Sequence, residues 1–271
     1  MNPNFPKIFF SDLDGTLLTD ENKLISPATY EAIRKFVAAG NYFCICTGRP
    51  EASALDVQER LGLNLGEKNY VVAYNGGVIL ESPSGKAVYR NGLEKPLVSE
   101  IFALAREYDV YCHTYQGKYI LAPFAGDSLA YYTRPVNMPY IINEDPASLL
   151  NGPVGKVICV ELYDHEKQER FREAVETKFA GKVSVSYSNS YYLEIVPAGI
   201  NKGTAVTALA SYLGIPVENT IGAGDERNDL ELLKGAGLGI AMANAVPQVK
   251  EAADVITEDD NNHDGLVPYL N

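Results

Sequence analysis

Two carboxylates stand one residue apart near the start of the chain, at Asp12 and Asp14. They follow the apolar run 8–10, which is long enough for one buried strand, and Gly15 then allows a sharp turn. A carboxylate pair at the carboxyl end of a buried strand lies where open α/β sheets place their active sites. Two such anions repel each other unless a cation or a proton lies between them, which favours a divalent metal such as Mg²⁺. A plain Asp-Gly turn after a strand is the alternative that this stretch leaves open.

A second chemical segment is Thr47-Gly48, which follows the apolar run 42–46. The run predicts another buried strand, and a new helix is expected to start within 47–50. A threonine hydroxyl and free backbone N–H groups at a helix N-terminus are the groups that hold a phosphate. A simple N-cap threonine would have the same sequence, so both interpretations stay open.

Lys202 lies at the predicted first turn of a helix whose apolar residues recur from Val206 to Leu213. A cation is unfavourable beside the positive end of a helix, so a lysine here indicates a nearby anion, such as the carboxylates and a phosphate. An exposed loop lysine is the alternative, and exposure is the commoner state of this residue type. The G-x-x-x-x-G-K-[ST] spacing of a phosphate-binding Walker loop does not occur in this segment.

The last segment combines a predicted strand with two further carboxylates. The run 220–224 predicts a buried strand that leads into Asp225, and Asp229 follows one helical turn later on the same face. The Gly-x-Gly within this run suggests a dinucleotide-binding turn, but Arg227 stands where that motif needs its third glycine. The strand instead delivers Asp225 at its carboxyl end, as the first strand delivers the pair near the N-terminus.

The elements that must position these residues alternate between strands and helices along both ends of the chain. This alternation predicts an α/β fold with a parallel sheet and right-handed crossovers. A helix is expected after Ser26-Pro27, which are typical of an N-cap and a first helical residue. The predicted strands of this sheet lie at 8–10, 42–46, 70–74, 220–224, 237–242 and 254–256.

The rhythm changes between residues 83 and 194, where short strands, turns and helices follow one another. This stretch predicts a separate α+β unit inserted into the first domain, so the domains are expected at 1–82 with 195–271 and at 83–194. The strand candidates of the insertion are 118–121, 155–162, 183–187 and 191–196, and its helices are expected around 97–108 and 171–179.

Length, charge and cysteine content exclude several classes of protein. Apolar residues make up 46% of the 271 residues, which is typical of a globular chain. The formal net charge of −12 argues against nucleic acid and against an anionic membrane surface as partners. No apolar run is long enough to span a membrane and no signal-peptide pattern occurs, so we expect a cytoplasmic protein. The cysteines lack metal-type spacing and are expected to be buried free thiols: Cys44, Cys46, Cys112 and Cys159.

The four chemical segments, in this order and each at a predicted strand end, resemble the four motifs of the haloacid dehalogenase superfamily of hydrolases. They are Asp12-Leu13-Asp14-Gly15-Thr16, Thr47-Gly48-Arg49, Asn201-Lys202-Gly203 and Gly224-Asp225-Glu226-Arg227-Asn228-Asp229. The insertion resembles the class IIB cap of the Cof-type phosphatases, and 262–266 is similar to that family's C-terminal loop. The resemblance implies a Rossmann-like doubly wound parallel sheet with an inserted α+β cap domain.

The resemblance also implies a Mg²⁺-dependent phosphatase that hydrolyses small phosphate monoesters, such as sugar phosphates, through an aspartyl-phosphate intermediate. Asp12 would be the nucleophile, and Asp14 would protonate the leaving oxygen and then deprotonate the attacking water. Mg²⁺ would be held by Asp12, Asp225 and the backbone carbonyl of Asp14. The cap would set the choice of substrate, because the core motifs recognise only the metal and the phosphoryl group.

Further residues at the strand ends receive their roles from the same resemblance. The groups that would bind the phosphoryl oxygens are Thr47, Lys202, Asn228 and the backbone N–H groups of Leu13 and Gly48. Asp229 is expected to orient Lys202 or a metal-bound water. Arg49 stays open between a substrate contact and a structural ion pair.

Other functions share some of these features. A phosphomutase uses similar chemistry but returns the phosphoryl group to a sugar. A non-catalytic sugar-phosphate-binding protein is a second alternative, although Asp12 and Asp14 are both present. The sequence does not favour a dehalogenase, because that reaction would need neither the acid–base carboxylate nor the phosphate-type metal ligands. The sequence leaves the physiological substrate and the oligomeric state open.

Overall fold

The computed structural model describes residues 1–65, 69–136 and 138–270, and the chain divides into two compact units. The first unit consists of Met1–Arg49, Ala54–Tyr89 and Asn201–Asn271. The second unit consists of Pro50–Ser53 and Arg90–Ile200. The domain boundaries expected from the sequence lie a few residues earlier at both junctions. The roles of the units as catalytic core and substrate-selecting cap stay a prediction.

Strands and helices are numbered in chain order. The strands are β1 Ile8–Ser11, β2 Tyr42–Cys46, β3 Asn69–Ala73, β4 Val78–Ser82, β5 Ala87–Arg90, β6 Tyr111–Gln116, β7 Tyr119–Ala122, β8 Tyr140–Ile142, β9 Val157–Val160, β10 Val183–Tyr187, β11 Tyr192–Pro197, β12 Thr220–Gly224, β13 Leu238–Ala241 and β14 Val255–Ile256. The helices are α1 Pro27–Ala38, α2 Glu51–Arg60, α3 Lys95–Glu107, α4 Asp127–Val136, α5 His165–Lys178, α6 Lys202–Leu213, α7 Leu230–Gly235 and α8 Pro247–Ala252. Within the described ranges, no helix combines the length and the apolar character needed to cross a membrane.

The first sheet has the strand order β14-β13-β12-β1-β2-β3-β4-β5. β1 runs parallel to both β12 and β2, and parallel pairing continues to β3 on one side and to β14 on the other. β4 pairs antiparallel with β3. The register places Ser11 of β1 opposite Ile45 of β2 and Ala223 of β12. The carboxyl ends of these three strands therefore meet at one edge, and the predicted α/β fold with a parallel sheet is confirmed.

Large apolar side chains fix β1 in the centre of this sheet. Phe9 is fully buried, and its ring lies 6.0 Å from the ring of Phe36 in α1 and 5.9 Å from that of Phe43 in β2. Burying a phenylalanine side chain contributes roughly 1.5–3 kcal/mol. α1 begins at Pro27 as expected, because the hydroxyl of Ser26 accepts a hydrogen bond from the backbone N–H of Thr29. The strand that leads into Asp12 is thus held rigidly from both sides.

The second unit contains a six-stranded sheet in the order β10-β11-β9-β6-β7-β8. Its pairs are antiparallel except for the parallel pair of β7 and β8. Alternate residues of β9 and β11 form one hydrophobic core with residues of α3 and α5, because side chains at positions i and i+2 of a strand share a face. The residues of this core include Val98, Ile101, Phe102, Val157, Phe171, Val175, Leu193 and Ile195.

β6 is a central strand of the second sheet that the sequence analysis does not expect. Its sequence, Tyr-Cys-His-Thr-Tyr-Gln, shows no alternation of apolar and polar residues, because both faces of residues 111–115 are buried. The expectation of four free thiols is wrong for two cysteines. Cys112 lies opposite Cys159 of β9, and the two form a disulfide, whereas Cys44 and Cys46 are free and buried. Cross-strand pairing follows from tertiary register, which cysteine spacing does not reveal.

Candidate active site

Asp12 lies directly after β1 at the edge where the parallel strands end. Its backbone N–H donates to the carbonyl of Ala223 at 3.0 Å, which extends the β1–β12 ladder by one residue. Its carboxylate is 13% exposed, and Oδ1 accepts a hydrogen bond from Lys202 Nζ at 2.5 Å. Burial raises the pKa of Asp12 above its ordinary value, although the neighbouring ammonium group opposes the shift. Oδ1 of Asp12 is therefore held beside the ammonium group of Lys202 at this edge of the sheet.

Lys202 is the first residue of α6 and is fully buried. Its ammonium group lies 2.5 Å from Oδ1 of Asp12 and 2.5 Å from Oδ1 of Asp229. Burial disfavours the charged form, but the two carboxylates outweigh this effect and raise the pKa of Lys202 above its ordinary value. The alternative interpretation, in which Lys202 is an exposed loop lysine, is therefore wrong. The anions that a cation at this helix end requires are the two carboxylates.

Asp229 holds Lys202 and also closes the turn after β12. Its Oδ2 accepts hydrogen bonds from the backbone N–H groups of Asp225 at 3.0 Å and of Glu226 at 3.1 Å. A Cβ atom on Gly224 would overlap the side chain of Asp229, so glycine is required at the end of the strand. Asp229 is fully buried, and every one of these bonds fixes its carboxylate. Its predicted support of Lys202 agrees with this geometry.

Asp225 directly follows β12, and one of its carboxylate oxygens lies within 4.8 Å of one of Asp12. Its Oδ1 accepts a hydrogen bond from the hydroxyl of Thr16 at 2.7 Å. Gly15 has a φ of +78°, and a Cβ atom there would overlap the carboxylate of Asp225. Burial raises the pKa of Asp225 to about 7, although the hydrogen bond from Thr16 acts in the opposite direction and lowers it. Thr16 thus has a role in the site that the sequence analysis did not assign.

The side chains of Asp12, Asp225 and Asp229, called here the acidic cluster, are close enough to share one cation. One oxygen atom from each lies within 4.8 Å of the others. A donor set made only of carboxylate oxygens suits a hard divalent ion such as Mg²⁺. The three carboxylates outnumber the ammonium group of Lys202, which contacts two of them. The residues therefore fit a metal, although the carboxylate of Asp14 does not belong to the cluster.

Asp14 follows Asp12 but directs its carboxylate to the surface, where the side chain is 53% exposed. Its Oδ2 lies 3.2 Å from a guanidinium nitrogen of Arg49, and its Oδ1 lies 3.5 Å from Lys23 Nζ. Arg49 therefore forms an ion pair with Asp14, and its contact with a substrate stays a prediction. Lys23 was missed, because it lies in a polar connection whose sequence carries no signal of a site.

Thr47 follows β2 and is buried, while α2 begins only at Glu51. The hydroxyl of Thr47 accepts a hydrogen bond from the backbone N–H of Arg49 at 3.2 Å, so it caps a turn and not the helix itself. Gly48 packs against Asn75, because a Cβ atom on Gly48 would lie 3.0 Å from Asn75 Nδ2. Asn75 Oδ1 is buried without a hydrogen-bond partner among the described residues. Asn75 is thus a further polar group of this edge that sequence reasoning missed.

The remaining predicted site residues lie in the turns beside the acidic cluster. The carbonyl of Leu13 accepts hydrogen bonds from the backbone N–H groups of Leu17 at 3.0 Å and Leu18 at 2.9 Å, which folds the loop after β1. Asn228 is exposed and belongs to the short 3-10 turn that ends at Asp229. Both residues therefore lie in loops that leave the same edge of the sheet.

Comparison with known proteins gives one family and similar relatives over nearly the whole chain. A family model described as haloacid dehalogenase-like hydrolase matches residues 9–270. The chain is 30% identical to the 5-amino-6-(5-phospho-D-ribitylamino)uracil phosphatase YcsE of Bacillus subtilis, over 97% of this chain and 94% of that protein. It is 27% identical to YwtE of the same organism, a phosphatase with the same name, over 96% and 95% of the two chains.

Solved structures show the same architecture. The crystal structure of a haloacid dehalogenase-like hydrolase from Bacteroides thetaiotaomicron is 30% identical and superposes with a TM-score of 0.86, covering 98% of each chain. The structure of TM0651 from Thermotoga maritima is 27% identical, with a TM-score of 0.85 and coverage of 98% of this chain and 97% of the other. Each of the two structures covers 98% of this chain, so the match extends over the residues of both units.

Proposed function

From the premise that this chain belongs to the haloacid dehalogenase-like hydrolases, we propose that it is a phosphatase of small-molecule phosphate monoesters. The observation that carries the proposal is the acidic cluster around the buried Lys202, at the carboxyl ends of β1 and β12. One fixed cation and an excess of carboxylates suit a reaction in which a phosphoryl group and a metal enter together.

Asp12 is the proposed nucleophile, which attacks phosphorus in line and forms an aspartyl-phosphate. A carboxylate is a weak nucleophile, so its fixed position after β1 and the charge around it must supply most of the rate. Lys202 holds Oδ1 of Asp12 at 2.5 Å and so orients the carboxylate towards the open side of the sheet edge. The same ammonium group is a proposed contact of a phosphoryl oxygen.

Asp14 is the proposed general acid and base. It gives a proton to the leaving oxygen in the first step and takes one from the attacking water in the second. Its ion pairs with Arg49 and Lys23 keep the carboxylate at the rim of the site, where leaving groups enter and depart. Proton transfer of this kind typically contributes roughly 10²–10⁴-fold to the rate.

Mg²⁺ is the proposed metal, held by Asp12, Asp225 and the backbone carbonyl of Asp14, and it would supply positive charge to the phosphoryl oxygens. Thr16 keeps Asp225 in place for this role through its hydrogen bond of 2.7 Å. The proposed phosphoryl contacts of the chain are Thr47, Lys202, Asn228 and the backbone N–H groups of Leu13 and Gly48. Asp229 orients Lys202.

The proposed substrates are phosphate monoesters of sugars and related polyols. Two relatives are named for a substrate that carries a phosphoribityl group, which is a sugar-alcohol phosphate. We assign the choice among such substrates to the second unit, the proposed cap, because the groups of the first unit address only the phosphoryl group and the metal. An exchange of surface residues in Arg90–Ile200 should therefore alter kcat/KM for a large substrate more than for a very small one.

A phosphate-release assay over a panel of sugar and sugar-alcohol phosphates tests this function. Release that requires Mg²⁺, stops with a chelator and disappears in the Asp12→Asn variant would support it. Formation of an isomerised sugar phosphate without inorganic phosphate would favour a mutase. Binding of the panel compounds without any turnover would favour a sugar-phosphate-binding protein and overturn the proposal.

A further inference from the structure

The loop that follows β1 is held by asparagine side chains from the C-terminal part of the first unit. Asn244 Nδ2 donates to the backbone carbonyl of Gly15 at 2.7 Å. Asn261 Nδ2 donates to the backbone carbonyl of Leu18 at 2.8 Å, and the backbone N–H of Asn261 donates to Asn244 Oδ1 at 3.4 Å. The two side chains therefore hold the loop at Gly15, directly after Asp14, and at Leu18, and the backbone of Asn261 also contacts the side chain of Asn244.

A third asparagine extends this contact to the next residues of the loop. Asn262 Nδ2 donates to Asp20 Oδ2 at 2.9 Å, and Asn262 Oδ1 accepts from the backbone N–H of Asp20 at 2.9 Å. Asn261 Nδ2 also donates to Asp20 Oδ1 at 3.1 Å, so both oxygens of this carboxylate have an amide donor. We refer to Asn244, Asn261 and Asn262 together as the asparagine clamp.

Asp20 connects the clamp to the proposed general acid. Lys23 Nζ lies 3.8 Å from Asp20 Oδ1 and 3.5 Å from Asp14 Oδ1. A chain of polar contacts thus runs from Asn261 through Asp20 and Lys23 to the carboxylate of Asp14. Exposed ion pairs contribute only about 0–1 kcal/mol, so this chain influences orientation more than stability.

The loop after β1 needs such support for a physical reason. It carries Asp12 and Asp14 beside further carboxylates, whose repulsion favours an expanded loop. It also turns through Gly15 in a left-handed conformation, which regular secondary structure cannot hold. Neutral amide donors hold the loop carbonyls without adding a charge that would compete with the metal. Asn261 is 7% exposed, so water cannot readily replace its hydrogen bonds.

We propose that the asparagine clamp positions Asp14 for proton transfer to the leaving group. The proposal rests on the proposed phosphatase function, in which Asp14 is the general acid. The side-chain hydrogen bonds of Asn244, Asn261 and Asn262 reach the backbone of the loop after β1 and the carboxylate of Asp20, so the clamp acts on Asp14 through the loop. When the clamp is removed, Asp14 stays in the chain but samples more orientations, and misplacement of about 1 Å can cost on the order of 10²-fold in rate.

The test compares two substrates with different leaving groups. General acid catalysis matters most for an alkyl phosphate, such as glycerol phosphate, and least for 4-nitrophenyl phosphate, whose leaving group departs without a proton. In Asn261→Ala, we expect kcat/KM for glycerol phosphate to fall about 10–100-fold and that for 4-nitrophenyl phosphate to fall by less than about 3-fold. Asn262→Ala, at an exposed position, should show the same selectivity with a smaller decrease.

Asn41→Ala is the matched control. Asn41 Oδ1 accepts a hydrogen bond from the backbone N–H of Lys7 at 2.9 Å, at the opposite end of β1 from Asp12. This variant also loses a hydrogen bond between an asparagine side chain and the backbone, here with the side chain as acceptor, and it should leave the ratio of the two kcat/KM values unchanged. Hydrogen exchange of the amides of Leu17 and Leu18 should accelerate in Asn261→Ala and not in the control.

The outcomes separate the two proposals. A wild-type protein that releases phosphate from no compound of the panel, these two substrates included, overturns the phosphatase function, and the clamp proposal with it. An active wild type whose Asn261→Ala and Asn262→Ala variants lose equal factors on both substrates overturns the clamp proposal alone. Unchanged kcat/KM values in both variants also overturn the clamp proposal alone. If Asn261→Ala fails to fold, Asn262→Ala decides the question by the same ratio.

Discussion

The two units differ in whether their buried charges are balanced by charges of the opposite sign. In the first unit, the acidic cluster gathers around a single buried cation, Lys202. In the second unit, the buried pair of Lys156 and Glu194 is balanced one to one, with 3.0 Å between Nζ and Oε1. An excess of buried charge costs stability unless a ligand balances it, whereas a matched pair needs none. The imbalance therefore supports the proposal that the chemistry takes place in the first unit.

The second unit also buries polar groups in neutral form. His113 of β6 is fully buried, and its ring centroid lies 4.3 Å from that of Tyr132 in α4. Burial, together with the charge of Lys156, lowers the pKa of His113 to about 3. His113 therefore adds no charge to the second unit at neutral pH.

The largest effect is expected from Asp12→Asn. The amide is nearly isosteric but a poor nucleophile, so phosphatase turnover should fall by about 10⁴-fold or more while the fold stays intact. Turnover of a panel substrate measures the loss of activity, and the circular dichroism spectrum shows whether the fold is intact. Near-normal turnover in a purified variant would remove the reason for placing the chemistry at the acidic cluster.

Asp14→Asn should lower the rate by roughly 10²–10⁴-fold, since it removes general acid–base catalysis without removing the nucleophile. The decrease in the first half-reaction should shrink for aryl phosphates, whose leaving groups need no proton. Pre-steady-state release of the aryl alcohol isolates that half-reaction. A small decrease of equal size for every substrate and step would contradict the assigned role.

Lys202→Met should destabilise the protein by about 3–5 kcal/mol, because it leaves the acidic cluster buried without its cation. Urea denaturation of the wild type and of the variant measures this difference in the free energy of unfolding. Lys234→Met is the matched control, since Lys234 forms an exposed pair with Glu231 at 3.4 Å and such pairs contribute about 0–1 kcal/mol. If the two variants lose equal stability, the buried lysine does not balance the cluster.

The smallest effect concerns the second unit and pH. The pKa of His113 is about 3 in the folded protein and ordinarily 6.5, so between these values the unfolded chain binds a proton that the folded chain does not. Stability from this group is therefore fully present above pH 6.5 and is lost as the pH falls, by about 2 kcal/mol between pH 7 and pH 5.

His113→Gln should remove that part of the pH dependence, and the melting temperature at the two pH values measures it. His165→Gln serves as the control, because His165 is exposed. Identical pH dependence in wild type and His113→Gln would mean that the second unit does not hold this histidine neutral.

The sequence by itself determined the α/β fold class and the order of the site segments. The runs that became β1, β2 and β12 are continuous apolar stretches followed by Asp12, Thr47 and Asp225. In a parallel sheet, the carboxyl ends of neighbouring strands share an edge, so local pattern and topology rules suffice to bring these residues together. Predictions that depended on one element and its end residue, such as the start of α1 at Pro27, agreed with the structure.

Only the tertiary structure decided which side chains pair. Lys202 is buried between Asp12 and Asp229, although its local sequence equally suits an exposed lysine. The ion pairs of Asp14, the asparagine clamp and the Cys112–Cys159 disulfide likewise join residues that are distant in sequence. Their distances depend on strand register and on loop conformations set by packing of the whole unit, and no local spacing encodes them.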